Sequence, residues 1–401
     1  MPKNDLRGLL TSLLSKPLWE LQYDLGALLQ HRDELGHRIR FWAQKHSPFY
    51  QAHGFEPVNR QVLAQAEDWL VSRVVTPHRR KTSGTTGEPL RYWLWRPQEI
   101  MLAKNNEILR EFAVPRAPTV LKIKPCRKLE GPDQFAVDIH RPKPTDPLLS
   151  AGAHNAHTHV MRHHPAASGH DICSFVETYL EKNNQFDIFI SSWSFMSTWM
   201  RYELARPLAK LLWTTCESCI PAEVEECRDR GYFSQFCDHM RCWDGGATFF
   251  TCQYGTYHCM DWLVDMDSDK KELVTTDYFN LASPFINYYN GDQAVIMKTW
   301  AKCQCGRYYR PMQFYGKRQC FNVRYGSFDL PSISINDVIE HYPVFIQAVC
   351  GDSHITIISD QDLTEEQKAE LQSLLPVQMF FRVQEFYRSG THEKLRRVIK
   401  V

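Results

Sequence analysis

Apolar residues recur three and four positions apart at the start of the chain. Leu6, Leu9, Leu10, Leu13 and Leu14 fall on one side of a helical wheel, so the spacing predicts mainly helix over residues 5–45, interrupted at Pro17, and again over 60–75. Thr82–Pro89 is a break rich in Gly, Ser and Thr, and beyond it the pattern shortens. Strands are predicted at Leu90–Trp95, Thr119–Ile123, Asp187–Ile190 and Met240–Trp243. Helices are predicted at Gln98–Phe112, Ser174–Glu181, Phe195–Leu212 and Ala222–Arg230. Residues 124–168, with Pro125, Pro132, Pro142, Pro144, Pro147 and Pro165, read as long loops. Frequent alternation of strand and helix favours an α/β fold over an all-β fold or a bundle.

After Gly316 the elements become compact. Strands near Phe321–Tyr325, at Val344–Val349 and at His354–Ile358 surround a helix at Ile335–Tyr342. A helix over Glu365–Leu374 opens on Thr364 with Gln367 three residues later, the spacing of a capping box. Strands at Gln378–Phe386 and Leu395–Val401 close a small α+β unit, residues 316–401, beside a large domain, residues 1–315. A chain of 401 residues is too long for one core, so size predicts the same division. No internal repeat or low-complexity segment stands out.

Composition removes several function classes. Lys plus Arg (47) nearly cancels Asp plus Glu (46), so no net field draws the protein to nucleic acid or anionic lipid. No window approaches the ~18 uncharged apolar residues of a membrane span, and Met1–Trp19 is broken by Lys3, Asp5, Arg7 and Lys16, unlike a signal peptide. Thirteen cysteines without an export signal predict reduced thiols in a cytoplasm, some of them holding a metal.

Thr82-Ser83-Gly84-Thr85-Thr86-Gly87-Glu88-Pro89 is the most specific local signal. Two glycines let the backbone turn tightly and bring N–H groups to an anion, and the hydroxyls can donate to phosphate oxygens. No Gly-Lys-Ser/Thr ending is present, so the loop is not of the Walker type. Taken alone, it reads equally well as a polar turn. The octapeptide resembles the phosphate loop of the adenylate-forming superfamily, which comprises acyl-CoA synthetases, peptide-synthetase adenylation domains and luciferases. Leu90 replaces the usual lysine, as in the phenylacetate–CoA ligase-like branch.

Later segments are similar to that branch in the same order, over roughly residues 40–401. Glu272–Thr276, followed by Pro284-Phe285-Ile286-Asn287-Tyr288-Tyr289-Asn290-Gly291-Asp292, resembles the family's strand and its Arg-Tyr-x-Thr-Gly-Asp element, with Asn287 in place of Arg. The resemblance implies that Asp292 accepts hydrogen bonds from both ribose hydroxyls of ATP, although alone it reads as a turn residue. Gly316-Lys317-Arg318-Gln319-Cys320 is similar to the interdomain hinge, so Lys317 and Arg318 join the implied ATP set. Glu393–Ile399 resembles the segment that carries the mobile catalytic lysine, here Lys394, which by itself reads as one more solvated lysine. The substrate-side motif, aromatic-Gly-x-Thr-Glu, aligns with Gly245-Gly246-Ala247-Thr248-Phe249 next to Trp243. Phe249 stands where the Mg²⁺ glutamate is expected.

Cys252, His258, Cys303 and Cys305 form a candidate Cys₃His set, suited to tetrahedral, structural Zn²⁺; the alternative is buried free cysteines. With Gly306 and Arg307, the second pair resembles a Cys-x-Cys-Gly-Arg of the same branch. His154, His157, His159, His163 and His164 lack acidic partners and helical spacing, and read as a pocket loop or plain surface rather than a second metal site. The resemblance therefore implies a large N-terminal domain with mixed sheets and helices, and a small mobile C-terminal domain. Its chemistry would use ATP and Mg²⁺ to activate a small-molecule acid, then transfer the acyl group to coenzyme A, an amine or a carrier-protein thiol. Trp193, Phe195, Trp243, Phe249 and Phe250 near the expected pocket hint at an aromatic acid. Activation of another substrate, amide or N–N bond formation, and a non-catalytic nucleotide-binding role are the competing readings. A homodimer is compatible with all of them.

Overall fold

The structure is a computed structural model. It describes residues 18–71, 78–81, 90–94, 100, 107–115, 118–126, 128–129, 134–140, 157–165, 167, 169–183, 186–193, 195–196, 200, 208–215, 219, 221–241, 245–315, 322–325, 328–331, 335, 338–339, 346–359, 362–375, 377–384 and 398–400. Helix α1 (Leu25–His46) starts where the Asp24 carboxylate accepts a hydrogen bond from the Ala27 amide. It buries Leu28, His31, Leu35, Ile39 and Ala43 along one stripe. Helix α2 (Pro48–His53), strand β1 (Val58–Asn59), helix α3 (Arg60–Gln65) and the hairpin β2 (His78–Lys81) with β3 (Arg91–Leu94) follow.

The chain then builds a large sheet. Its first members are β4 (Thr119–Pro125), β5 (Phe135–His140) and β6 (His157–His163), followed by helix α4 (Gly169–Lys182) and β7 (Phe186–Ser191). After β8 (Ala209–Thr215), helix α5 (Pro221–Asp229) and β9 (Gln235–Arg241), the sheet ends with β10 (Thr248–Thr251) and β11 (Tyr257–Cys259). The strand order is β11-β10-β9-β8-β7-β4-β6-β5, with β6, β4, β7, β8 and β9 parallel. β7 is buried along nearly its whole length, as a central parallel strand covered on both faces must be. On one face, Ile188, Ile190, Leu211 and Trp213 pack with α1–α3, Trp262, Phe285 and Tyr288. On the other, Leu121, Phe189, Trp193 and Leu212 pack with α4 and α5.

A second sheet contains β12 (Val264–Asp269), β13 (Glu272–Asp277) and β14 (Tyr288–Ile296). β15 (Ala301–Lys302) and β16 (Tyr308–Tyr309) form a separate small hairpin, and β17 (Met312–Tyr315) joins β14. The hairpin β18 (Asn322–Tyr325) and β19 (Phe328–Pro331) precedes β20 (Ile346–Cys350) and β21 (Ile355–Ser359). Helix α6 (Glu365–Leu374), β22 (Met379–Val383) and β23 (Val398–Lys400) finish the fold. A four-stranded sheet, β22-β21-β20-β23, shares a core with the hairpin and α6: Val323, Leu330, Ile346, Ile355, Ile357, Leu371 and Met379.

Two expectations from sequence fail. The proline-flanked stretch 124–168 contributes β5 and β6, paired antiparallel over Phe135–His140 and Thr158–His163. Histidines at three of the seven β6 positions conceal a strand that is nevertheless packed between β4 and β5. The helix expected to run to Leu212 gives way to β8, whose apolar run Leu211-Leu212-Trp213 suits a buried strand as well as a buried helix. The division of mixed sheets and helices into α/β layers holds.

Candidate active site and metal cluster

The connection leaving β4 runs to β5 and β6 on one side and the connection leaving β7 runs to β8 on the other, making a switch point at the carboxyl ends of β4 and β7, beside that of β6. Open α/β sheets bind ligands in such crevices. Pro125, His163 and Ser191 end those three strands. His163 and His164 are buried, so the plain-surface reading fails at these two positions. Nδ1 of His163 lies 3.0 Å from the His164 carbonyl, while its Nε2 has no hydrogen-bond partner among the described residues. Burial pushes its pKa down to about 4, which keeps the imidazole neutral near pH 7.

At the carboxyl end of β9, residues 245–249 re-enter the sheet. Gly245 and Gly246 both have φ +74°, the left-handed region. A Cβ on Gly245 would stand 2.4 Å from Thr275 Oγ1 and 2.8 Å from Tyr288 Cδ1. No aromatic side chain fits there, and the buried Tyr288 ring occupies the space instead. The Thr248 hydroxyl donates to the Gly246 carbonyl at 3.1 Å. Phe249 is fully buried and shares a core with Ala247, Cys259, Val264, Met266 and Leu273. An apolar ring in that surrounding offers no Mg²⁺ ligand, so the implied metal-binding role does not fit this position.

Asn287, in place of the usual Arg, has a clear local job. With φ 48° it enters the left-handed region, which Asn tolerates better than most residues. Its Nδ2 donates to the Phe55 carbonyl at 2.7 Å, and its amide donates to Thr276 Oγ1 at 3.0 Å. It therefore pins the start of β14 to the N-terminal region and β13. Asp292 lies on β14, half-buried, with its carboxylate 3.4 Å from the Asn290 amide nitrogen.

Cys252, His258, Cys303 and Cys305 come together as expected, with all four ligand atoms within 4.8 Å of one another. Sγ of Cys252 and Cys303 are 3.9 Å apart, and Cys305 Sγ lies 3.5 Å from His258 Nε2. Ligands on a zinc tetrahedron, at Zn–S ~2.3 Å and Zn–N ~2.05 Å, stand about 3.8 Å apart for S–S and about 3.6 Å for S–N. The donor set and spacing fit that ion. Hydrogen bonds from the Cys252 thiol and from His258 favour the thiolate at Cys305 and lower its pKa. Among the described residues no other group of this kind is found.

Among solved structures, the chain is similar to 2-hydroxyisobutyryl-CoA ligase in complex with 2-HIB-AMP and CoA in the thioesterification state. The TM-score is 0.56 at 13% identity, covering 94% of this chain and 90% of that one. The chain has the adenylate-forming ligase fold. The same enzyme in the postadenylation state with R3-HIB-AMP gives a TM-score of 0.51 at 14% identity, covering 94% and 89%. Its open conformation with 2-HIB-AMP and CoA gives 0.51 at 13% identity, covering 93% and 91%. No family model matches the sequence, and no curated protein does.

Thr82, Ser83, Gly84, Thr85, Thr86, Gly87, Trp243, Lys317, Arg318 and Lys394 lie outside the described residues. Within this ligase fold, sequence reasoning missed two buried ion clusters. Arg307 pairs with Glu111 and stands 3.4 Å from Glu107, while Glu107 also accepts from the Trp262 indole at 2.8 Å. Burial raises the Glu107 pKa to about 7 despite the nearby guanidinium. Arg310 pairs with Asp261 at 2.7 Å, and Arg32 of α1 pairs with Asp265, both arginines stacking on Trp300. Scattered single charges carry no spacing signal, so only the fold could reveal these pairs. Among the described residues, no helix is long and apolar enough to cross a membrane.

Proposed function

We propose that the protein is an ATP-dependent acid-activating ligase, similar to phenylacetate–CoA ligases. The reading is carried by one observation: 94% of the chain follows the fold of a ligase captured with its acyl-AMP and CoA. ATP would bind across Thr82–Gly87 and Asp292, with Lys317 and Arg318 at the hinge. A substrate carboxylate attacks the α-phosphorus, forming acyl-adenylate and releasing pyrophosphate. Lys394 would neutralise charge that develops between carboxylate and phosphate. The small unit, residues 316–401, then turns relative to residues 1–315, and a thiol attacks the acyl carbonyl and expels AMP. Coenzyme A is the acceptor this reading favours, with an amine or carrier-protein thiol as alternatives, and an aromatic acid is the favoured substrate.

Buried Phe249 favours a second reading within the same fold, activation of a non-standard substrate with amide or N–N bond formation. A structural Zn²⁺ on Cys252, His258, Cys303 and Cys305 belongs to both readings. ATP–pyrophosphate exchange over a panel of aryl and alkyl acids tests the proposal. Exchange that disappears in Lys394→Ala supports it. Absence of ATP binding by calorimetry with metal-replete protein overturns it, and ATP binding without exchange for any acid or amine points to a non-catalytic relative.

A further inference from the structure

The metal cluster is built on two turns that repeat each other in sequence and geometry. Cys252-Gln253-Tyr254-Gly255-Thr256 and Cys303-Gln304-Cys305-Gly306-Arg307 share Cys-Gln-x-Gly and are each followed by an aromatic residue, Tyr257 or Tyr308. In the first turn the Cys252 amide donates to the Thr256 carbonyl at 3.0 Å and the Gly255 amide to the Cys252 carbonyl at 2.9 Å. In the second the Cys303 amide donates to the Arg307 carbonyl and the Gly306 amide to the Cys303 carbonyl, both at 2.9 Å. Gly255 and Gly306 are left-handed in both, with φ 74° and 90°. The correspondence breaks at the ligands: Tyr254 occupies the position of Cys305, and His258 supplies the fourth ligand from β11 instead.

The two turns belong to different sheets. β10 and β11 are the last two strands of the large sheet, whereas among the described residues β15 and β16 pair only with each other. Side chains, not a backbone ladder, therefore join them. Glu111 touches both: its Oε1 accepts the Gln253 amide at 3.1 Å, and its Oε2 accepts from Arg307. Arg307 also lies over the Phe250 ring, 5.4 Å from its centre. The sulfur and imidazole cluster is a further link, beside the His258–Tyr309 ring contact, with centroids 5.2 Å apart, and the Arg310–Asp261 pair. Through β10, that link acts on the pocket: Cys252 follows Thr251, and Gly246 precedes Thr248 by only two residues. β11, three residues long, is the edge strand that holds β10 in register, Phe249 opposite Cys259 and Phe250 opposite His258.

We infer that a Zn²⁺ ion in the Cys₃His cluster is a positioning group for the ligand pocket, clamping the β10–β11 hairpin so that the Gly245–Gly246 turn keeps its place against Thr275 and Tyr288. The clearance there is already below van der Waals contact for even one added carbon, so small movements of β10 change the pocket. A purely structural ion would instead hold the whole large domain together, and its loss would unfold it.

Hydrogen exchange on the full chain, zinc-loaded and after removal of the metal by a strong chelator, separates these cases. Metal removal is expected to raise exchange of the amides of residues 245–259 by roughly tenfold or more, with α4, β7 and β8 unchanged. ATP affinity is expected to fall by about tenfold, equivalent to ~1.4 kcal/mol. Cys305→Ser should reproduce both effects, and Tyr254→Ala, at an exposed turn position, should retain the metal. If Cys305→Ser fails to fold, the chelated wild-type protein carries the test. Unchanged exchange over 245–259 after metal removal overturns the inference, as does uniform unfolding or a purified protein that holds no zinc. The ATP arm rests on the acid-activating reading, whereas the exchange arm does not. A zinc-loaded protein that binds no ATP but shows local exchange refutes that reading and leaves the clamp standing.

Discussion

The two ends of β10 differ in how far they follow the resemblance. At its far end, Cys252 and the neighbouring His258 join Cys303 and Cys305 in a complete set of ligands, spaced as a tetrahedral ion requires. At its near end, where the resemblance implies an aromatic residue and a carboxylate, stand Gly245 and Phe249, the latter sealed in the core. A closed metal site is specified by the four atoms that touch the ion, so residue type alone carries its chemistry. An open pocket is specified by whatever enters it, and neighbouring side chains can exchange roles. Tyr288 fills the space where a side chain at position 245 would stand.

The most direct way to break this contrast is to restore the missing carboxylate. Phe249→Glu places an acid in the apolar surroundings of Ala247, Cys259, Val264, Met266 and Leu273. The variant is expected to lose on the order of 5 kcal/mol of stability in denaturant unfolding, without gaining any divalent-cation binding. A stable variant with a new Mg²⁺ affinity would place Phe249 in the pocket after all. Restoring bulk at the other position comes next. Gly245→Ala meets both the collision with Thr275 and Tyr288 and the strain of a left-handed backbone, about 3–4 kcal/mol together. Thr275→Gly in the same chain should recover part of that loss, and no recovery would assign it to the Tyr288 contact and the backbone strain.

How much of this was legible in the sequence differs between the same two regions. The cluster was readable because thiolate and imidazole chemistry is carried by residue type, and four ligands could be listed before their geometry was known. The repeat of the two turns was written in Cys-Gln-x-Gly as well, but two short matches 51 residues apart carry little weight until matching hydrogen bonds join them. The pocket was less readable. Asn287 looks like a lost arginine in sequence, and only its left-handed backbone and its bond to Phe55 show why Asn stands there. β6 was hidden because His157, His159 and His163 break an apolar run whose burial comes from neighbouring strands. β8 was misread because continuous burial erases the period that separates strand from helix.

His163 sharpens the contrast with pH. Its pKa drops from 6.5 to about 4 on folding because burial penalises the imidazolium. The unfolded chain binds the proton more readily, so this residue's contribution is fully present above pH 6.5 and is lost as pH falls toward 4. The loss amounts to about 3 kcal/mol. Stability measured from pH 7 to 4 should fall less steeply in His163→Phe than in the parent. Equal slopes would show that the ring becomes charged in place, with solvent reaching it from the crevice.

The smallest expected effect tests whether the contrast is local to the large sheet. Thr364 caps α6: its hydroxyl accepts from the Gln367 amide at 3.2 Å, and Gln367 Oε1 accepts from the Thr364 amide at 2.9 Å. Removing one half of this reciprocal pair in Thr364→Ala should cost about 1 kcal/mol. α6 packs through Leu371 into the core that also holds Val323, Ile346 and Ile357, and that core contains no residue from β10 or the metal cluster. Hydrogen exchange should therefore increase in α6 and β20–β22 while residues 245–259 keep their protection, with or without metal. If the cap variant also loosens β10, the two cores unfold as one cooperative unit. The differences between the ends of β10 would then be read against global stability rather than against local contacts.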